Sequence, residues 1–214
     1  MKFFSAFLLF VSTVALADCP HLYPHNTPIV IPGAIELCNE QYVSLYDARN
    51  RAVLLVSELV SPKPHDVPRT NTFRKDTRVP NGVSTTEYNY SGYDRGHMAP
   101  ADDATNATQM RQSMYTTNVT PQDPKLNKGR WKALEARTRK QIEQSGIDTH
   151  VVTAAVYRDR PLMGTVPVPY GYIKAAYFPS GTVVHYTLNN STDTNQKIDI
   201  NWANRLIKFA TLPK

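Results

Sequence analysis

The sequence predicts an α+β fold in which a mainly antiparallel central sheet is flanked by helices. Strand-like and helix-like segments do not alternate regularly along the chain, which argues against a doubly wound parallel sheet. Two pairs of strand-like segments are joined by short polar stretches, a pattern typical of β-hairpins. The chain has 214 residues, 41% of them apolar, so it can bury a core, and 16 prolines against nine glycines indicate many loops. No internal repeat is present, which excludes solenoid folds.

The first hairpin is predicted over residues 41–46 and 52–60, which are rich in Val, Leu and Tyr, with a polar turn at residues 47–50. The stretch that follows, residues 61–80, is polar and has prolines at positions 62, 64, 68 and 80. We therefore expect a long loop between this hairpin and the rest of the sheet.

A helix is predicted over residues 126–146. Its apolar side recurs at helical spacing, and Gly146 is a natural residue for the C-terminal end. The residues of that side are Trp131, Leu134, Thr138 and Ile142. The nearly continuous apolar run at residues 151–157 then predicts a central strand.

A second hairpin is predicted over residues 170–178 and 182–188, on either side of Pro179-Ser180-Gly181. Near the C-terminus, apolar residues again recur at helical spacing and predict a last amphipathic helix. They are Ile198, Trp202, Leu206 and Phe209.

Residues 1–17 are predicted to be a cleaved signal peptide, and residues 18–214 a single domain. Lys2 gives a basic start, an apolar stretch follows, and Ala15-Leu16-Ala17 forms a cleavage pattern before Asp18. The apolar stretch is too short for a membrane anchor, which needs about 20 residues. We expect a secreted or periplasmic protein that has no membrane association.

The chain has two cysteines, Cys19 and Cys38, which an exported protein most simply pairs in a disulfide bond. That bond would pin a proline-rich N-terminal arm, residues 18–40, with little structure of its own. Lipidation of Cys19 is excluded, because the residue before a lipidated cysteine is small and neutral and here it is Asp18.

Three polar blocks suit the hydrolysis of a phosphodiester bond. That reaction needs a base to deprotonate water, a metal ion to hold the phosphate, and cations near the developing negative charge. The first block, within residues 93–100, mixes charges with a glycine and predicts a turn. The blocks are Asp94-Arg95-Gly96-His97, then Asn118-Val119-Thr120-Pro121-Gln122, then Leu126-Asn127 with Trp131 and Leu134-Glu135.

His97 is a candidate base, because the pKa of histidine is ordinarily close to neutrality. Asn127 and Glu135 are two helical turns apart and lie on one side of the predicted helix, where oxygen ligands suit Mg²⁺. The candidate cations around the phosphate are Arg95, Lys128 and Arg130. The formal net charge of +6 is compatible with nucleic acid but does not require it.

Taken singly, these residues have ordinary structural explanations. A histidine beside Asp and Arg is usually a hydrogen-bonding group, and an asparagine before a helix is usually its N-cap. A glutamate on a helix that packs against the core usually lies at the solvent-exposed edge of the helix. The three blocks together, in this order and spacing, resemble the DNA/RNA non-specific endonucleases, the ββα-metal family of Serratia-type secreted nucleases and mitochondrial endonuclease G. The resemblance covers about residues 49–188.

The resemblance implies a role for each matched residue and a ββα-metal motif in the fold. His97 matches the general base that activates water, and Asn127 matches the protein ligand of Mg²⁺. Glu135 matches a carboxylate that holds metal-bound water. Asn118 matches a residue that supports His97 and the substrate phosphate.

The resemblance also implies arginines at the phosphate. Arg95 belongs to the first block and would offset phosphate charge. The family has a further upstream arginine that stabilises the transition state, for which Arg69 is our choice and Arg74 the alternative. Asp94 is interpreted as structural, and Lys128 and Arg130 as contacts to substrate.

The predicted activity is therefore metal-dependent endonuclease cleavage of double- and single-stranded DNA and of RNA, without sequence specificity. The products would carry 5′-phosphate and 3′-hydroxyl ends, and Mn²⁺ could replace Mg²⁺. Two other hypotheses stay open: a catalytically silent nucleic-acid-binding protein on the same scaffold, and a phosphodiesterase acting on a small substrate. The sequence leaves the oligomeric state open.

Overall fold

The computed structural model of the chain describes residues 18–63, 66–158 and 162–189. The predicted signal peptide and the predicted last helix around Trp202 lie outside these residues. Within the described ranges, no helix has the length and apolar character needed to cross a bilayer.

The described part of the chain has ten strands and three α-helices. The strands are β1 (Ile35–Cys38), β2 (Tyr42–Asp47), β3 (Ala52–Val60), β4 (Asp94–His97), β5 (Val119–Gln122), β6 (Thr149–Val156), β7 (Leu162–Met163), β8 (Val166–Pro167), β9 (Gly171–Phe178) and β10 (Gly181–Leu188). The α-helices are α1 (Ala107–Ser113), α2 (Pro124–Leu126) and α3 (Lys132–Ser145), with a π-helical turn at Asn127–Trp131. Short 3₁₀ turns lie at Pro20–Leu22, Pro24–Asn26, Thr85–Tyr88, Ala101–Asp103 and Thr116–Asn118.

Six of the described strands form one antiparallel sheet in the order β1-β2-β3-β6-β9-β10. Both predicted hairpins are confirmed, as β2–β3 and β9–β10. The predicted central strand is β6, which pairs with β3 on one side and β9 on the other. The α+β class is therefore confirmed. The described residues of the 61–80 segment form the predicted loop, apart from a single bridge between Arg74 and Tyr115.

The predicted helix over residues 126–146 is present, but its first part is not regular. The chain enters it through α2, which Asp123 caps by accepting hydrogen bonds from the backbone of Lys125 and Leu126, and then makes the π-helical turn. The four apolar positions predicted for this helix are buried, and the helix ends at Gly146, whose φ of 67° is left-handed. The buried side holds the helix against the sheet, beside Val56 and Tyr172.

The N-terminal arm is more ordered than the sequence predicts. The disulfide bond between Cys19 and Cys38 is present. However, the arm also forms two 3₁₀ turns and the edge strand β1, and it buries Leu22 and Tyr23 against the sheet. A proline-rich composition did not reveal this order, because it comes from tertiary packing rather than from local periodicity.

The segment that carries the first polar block is a strand, and the prediction of a turn is wrong. β4 pairs antiparallel with β5, so that Gly96 faces Thr120 and His97 faces Val119. Gly96 is buried, and a Cβ atom there would lie 2.3 Å from Oε1 and 2.5 Å from Cβ of Gln122. The glycine is therefore required by the close approach of the two strands rather than by a turn.

We expect Gly96→Ala to reduce the free energy of unfolding by about 1–3 kcal/mol, as overpacking in a well-packed core does. Gln122 is itself buried, so its side chain has little room to move away from the new methyl group. The measurement is urea denaturation of the variant and the wild type. In a double-mutant cycle, Gly96→Ala should cost less in a Gln122→Gly background than in the wild type. An equal cost in both backgrounds would show that the contact with Gln122 is not its cause.

Candidate active site

A cleft of about 510 Å³ lies where β4, the loop before it and the N-terminal part of the long helix meet. His97, Asn127 and Glu135 all line it, so residues far apart in sequence share one site. Its remaining lining residues are Arg69, Asn71, Phe73, Tyr93, Asp94, Arg95, Pro100, Ala101, Asp102, Lys128 and Lys132. Half of the fourteen lining residues have ionisable acidic or basic side chains besides His97, as suits a charged ligand.

His97 ends β4 and lies at the inner side of the cleft. Its ring is 9% exposed, and its centroid is 5.3 Å from that of Phe73. Among the described residues, none forms a hydrogen bond with its Nε2 atom, which is buried. Burial lowers the pKa of His97 to about 3, and the charge of Arg69 acts in the same direction. The ring is therefore neutral near pH 7, the state in which a histidine can accept a proton.

This lowered pKa predicts a loss of stability in acid. The unfolded chain protonates the ring below about pH 6.5 and the folded protein does so only near pH 3, so the unfolded state binds more protons in between. The free energy of unfolding should therefore fall by about 2 kcal/mol from this group between pH 7 and pH 5. Urea denaturation at both pH values checks this, with His97→Asn as the comparison. If the variant and the wild type lost the same stability, the buried neutral state of His97 would be wrong.

Asn127 begins the π-helical turn and is oriented by Asp94. The Nδ2 atom of Asn127 donates a 2.9 Å hydrogen bond to Oδ2 of Asp94, and Lys128 Nζ lies 3.0 Å from the same carboxylate. Because the amide nitrogen of Asn127 is engaged with Asp94, its amide oxygen Oδ1 is the atom available to a cation. Asp94 therefore orients Asn127, the candidate metal ligand, which is compatible with the structural role that the sequence suggested for it.

Glu135 is on the first turn of α3 and faces the cleft. Its Oε1 atom is buried and has no hydrogen-bond partner among the described residues. Burial raises the pKa of Glu135 to about 7, Lys174 opposes that shift, and the negative charge of Asp103 adds to it. A carboxylate in this setting gains from any cation or water that reaches it through the cleft.

The two candidate upstream arginines lie in different places. Arg69 lines the cleft and forms an ion pair with Asp102, and nearly half of its side chain is exposed. Arg74 is not among the lining residues: its backbone pairs with Met114 and Thr116, and its Nε atom is buried without a partner among the described residues. The structure therefore favours Arg69 over Arg74 as the arginine of the cleft.

Arg95 reaches the cleft but is largely engaged by the protein. Its Nη2 atom donates to the carbonyl of Thr85 at 2.7 Å and to Oδ1 of Asn89 at 3.1 Å. Its guanidinium lies 5.5 Å from the ring centroid of Phe73 and 5.4 Å from that of Tyr88. These contacts hold the arginine in a fixed position at the cleft.

Asn118 lies behind the cleft rather than in it. The side chain is fully buried, accepts a hydrogen bond from the backbone N–H of Ala99, and donates to the carbonyls of Ala99 and Ser113, each at 2.9 Å. It can thus support the backbone just after His97, as the resemblance implies. Contact with a substrate phosphate does not fit, because both polar atoms of the side chain are engaged inside the protein.

The two predicted substrate cations differ in position. Lys128 is exposed and lines the cleft, whereas Arg130 is exposed outside the lining. Lys132, one helical turn beyond Lys128, also lines the cleft. A pair of lysines four residues apart on a helix presents two charges on the same side.

Sequence reasoning missed a group of buried charges beneath the cleft. Glu58 on β3 and Lys174 on β9 are almost fully buried, and Arg139 on α3 forms an ion pair with the buried Asp103 at 2.5 Å. The available signal was a charged residue in an otherwise apolar strand, such as Lys174 after Tyr172 and Ile173. Such a residue in a buried strand is unusual enough to indicate a specific partner.

Comparison with known proteins shows that this chain is similar to nucleases. A family model described as DNA/RNA non-specific endonuclease matches residues 26–210. A "Nuclease" from Nostoc sp. is 32% identical over 136 residues, which cover 61% of this chain and 49% of that protein. Human "Endonuclease G, mitochondrial" is 33% identical over 137 residues, which cover 61% of this chain and 46% of that protein.

Among solved structures, a crystal structure of an EndoG/EndoGI complex has a similar fold. The TM-score is 0.69 at 22% identity, and the match covers 83% of this chain and 86% of that chain. At this identity the similarity concerns the fold alone. The chain spans about half the length of the two nucleases compared above.

Proposed function

Because the chain belongs to the DNA/RNA non-specific endonuclease family, we propose that it is a metal-dependent endonuclease that hydrolyses phosphodiester bonds in DNA and RNA. The observation that carries the proposal is the shared cleft of His97, Asn127 and Glu135, with Arg69 and Lys128 at its margin. A base, two oxygen donors and two cations are the groups that this reaction requires.

His97 is the proposed general base. Its neutral ring near pH 7 can take a proton from a water molecule as the water oxygen attacks phosphorus. The bond from phosphorus to the 3′ oxygen then breaks, and that oxygen leaves with a proton from solvent. The negative charge of a bound phosphate would raise the proton affinity of the ring while substrate is present.

The residues of the cleft fit Mg²⁺, with Mn²⁺ as a substitute. Asn127 would hold the ion through Oδ1, whose orientation follows from the hydrogen bond of Nδ2 to Asp94, and Glu135 would act through water. The unpartnered, buried Oε1 of Glu135 in the described structure supports that role. A bound ion would polarise the phosphate and stabilise the leaving 3′ oxygen, which corresponds to 5′-phosphate and 3′-hydroxyl products.

The positive side chains along the cleft would bind nucleic acid without sequence specificity. Arg69, Lys128 and Lys132 present positive charge along the cleft, where a phosphate backbone would lie. Contacts to phosphate carry no base information, so double- and single-stranded DNA and RNA are all proposed substrates. Attack by water needs no 2′-hydroxyl, so the mechanism does not separate DNA from RNA.

The test is incubation of the purified protein with supercoiled plasmid and with RNA, in Mg²⁺ or in EDTA. Metal-dependent degradation of both, with 5′-phosphate ends that a phosphatase and kinase assay detects, is the expected result. A salt-sensitive gel shift without cleavage would instead support a nucleic-acid-binding protein. Efficient hydrolysis of a small phosphodiester that does not respond to salt, with intact plasmid, would support the third hypothesis.

We also propose that the protein is exported and that cleavage after Ala17 starts the domain at Asp18. The backbone nitrogen of Asp18 lies 3.1 Å from Oε2 of Glu36, beside the disulfide bond. Cleavage there would turn this nitrogen into an ammonium group and the hydrogen bond into an ion pair. Expression of the whole chain with its own leader, followed by intact-mass analysis of the product outside the cytoplasm, tests this. A product that kept residues 1–17 would contradict it.

A further inference from the structure

Two buried ionisable residues lie in the sheet beneath the cleft. Glu58 on β3 is 1% exposed and Lys174 on β9 is 2% exposed. Both are on the side of the sheet that packs against Trp131, and Lys174 Nζ lies 3.8 Å from Oε1 of Glu58. Removing charged groups from water is unfavourable unless specific partners compensate, so the contacts of these two residues need an explanation.

Lys174 contacts both halves of the active site. Its Nζ atom donates a 3.3 Å hydrogen bond to the carbonyl of Met98, the residue that follows His97. The same atom lies 5.3 Å from the ring centroid of Trp131, the last residue of the π-helical turn that begins at Asn127. One ammonium group therefore touches the strand end that carries the base and the turn that carries the metal ligand.

The fold itself does not require a cation at this position. Lys174 faces Thr153 in the sheet ladder, and its side-chain neighbours on the same strand face are Tyr172 and Ala176. A methionine of similar length could fill the same space with a lower desolvation penalty. A methionine could still pack on Trp131, but it could not donate a hydrogen bond to the carbonyl of Met98 or place a positive charge over the indole ring.

We propose that Lys174 is a positioning residue for the cleavage reaction, whose buried ammonium group holds the strand end at His97 and the turn at Asn127 in a fixed relation. The inference rests on the proposed function. It adds a residue in the sheet that touches neither substrate nor metal and acts through Met98 and Trp131.

Glu58 lies on the other side of the ammonium group. Both of its carboxyl oxygens are buried and have no hydrogen-bond partner among the described residues. Burial and the neighbouring charge of Asp103 outweigh the opposing effect of Lys174, so the pKa of Glu58 is raised well above its usual range. The position of the ammonium group is thus set by Glu58 on one side and by Met98 and Trp131 on the other.

The test compares Lys174→Met, Glu58→Gln and the double variant with the wild type. The double variant replaces both buried ionisable groups together and leaves neither without its partner, so it should fold with an unfolding midpoint within about 5 °C of the wild type. It should nevertheless cleave plasmid with a kcat at least about tenfold lower and a KM within about threefold, because small displacements of reacting groups have large effects on rate. Ser57→Ala is the matched control: Ser57 is buried beside Glu58 but donates to the carbonyl of Leu22 on the opposite side of the sheet.

A second measurement does not depend on activity. In metal-free protein, NMR signals of the His97 ring and of the Trp131 indole N–H should move together in the double variant and stay unchanged in Ser57→Ala. Trp202→Phe assigns the indole signal, since the chain has two tryptophans.

A wild-type kcat or unmoved signals in the double variant would overturn the proposal. If Lys174→Met alone does not fold, the double variant decides. If the wild type does not cleave nucleic acid, the proposed function fails and the NMR comparison still tests the connection.

Discussion

Replacing His97 by alanine is expected to lower kcat for plasmid cleavage by about 10²- to 10⁴-fold while the protein stays folded. His97 is the last residue of β4 and lies in the cleft. Its ring is neutral near pH 7, and its buried Nε2 atom has no hydrogen-bond partner in the described structure. No proton acceptor would remain at that position. The measurement is the initial rate of nicking of supercoiled plasmid in Mg²⁺, with circular dichroism to show that the fold is retained.

The matched control is His25→Asn, which removes an exposed histidine of the N-terminal arm that does not line the cleft. Its rate should equal that of the wild type. Added imidazole should restore part of the rate to His97→Ala, because a small base can enter the space left by the ring. A normal rate in His97→Ala would show that His97 is not the base.

Replacing Asn127 by alanine is expected to weaken metal binding at least about tenfold and to lower kcat/KM at least about 100-fold. The amide oxygen of Asn127 is the proposed ligand, and its orientation depends on the hydrogen bond from Nδ2 to Asp94. Calorimetric titration with Mn²⁺ measures binding directly, and the dependence of plasmid cleavage on metal concentration measures its effect on rate.

Asp94→Asn provides a graded comparison for the same site. It keeps the shape of Asp94 but removes the charge that orients Asn127 and pairs with Lys128. A smaller loss of metal affinity than in Asn127→Ala is expected, because Asp94 orients the proposed ligand and does not itself hold the metal. Asn50→Ala, in the exposed turn between β2 and β3, should leave both affinity and rate unchanged. Wild-type metal affinity in Asn127→Ala would exclude this residue as the ligand.

Local sequence patterns predicted much of the fold because they reflect local physics. Alternating and continuous apolar runs located β2, β3, β6, β9 and β10, and Gly146 marked the end of α3. The same patterns failed at β4, where a strand of four residues contains Asp94, Arg95 and a glycine. A segment of that composition becomes a strand through its pairing with β5, more than twenty residues away.

The candidate site shows the same division. The resemblance of three short polar blocks to the nuclease family pointed to His97, Asn127 and Glu135, and all three line one cleft. The sequence offered Arg69 with Arg74 as the alternative, and only the path of the loop shows that Arg69 lines the cleft whereas Arg74 does not. The position of Asn118 behind the cleft could be seen only from its hydrogen bonds, which join its side chain to the backbone of Ala99.

The sequence by itself determined the α+β class, both hairpins and the long helix, because each follows from periodicity or short-range spacing. It indicated the residues of the site through the resemblance of three short blocks to a known nuclease family. Only the tertiary structure decided which charges are buried together and what they contact. Glu58 and Lys174 come from strands separated by more than one hundred residues and become neighbours because β6 lies between them in the sheet. Local propensity carries no information about such pairs, since their proximity depends on how distant strands are ordered in the folded sheet.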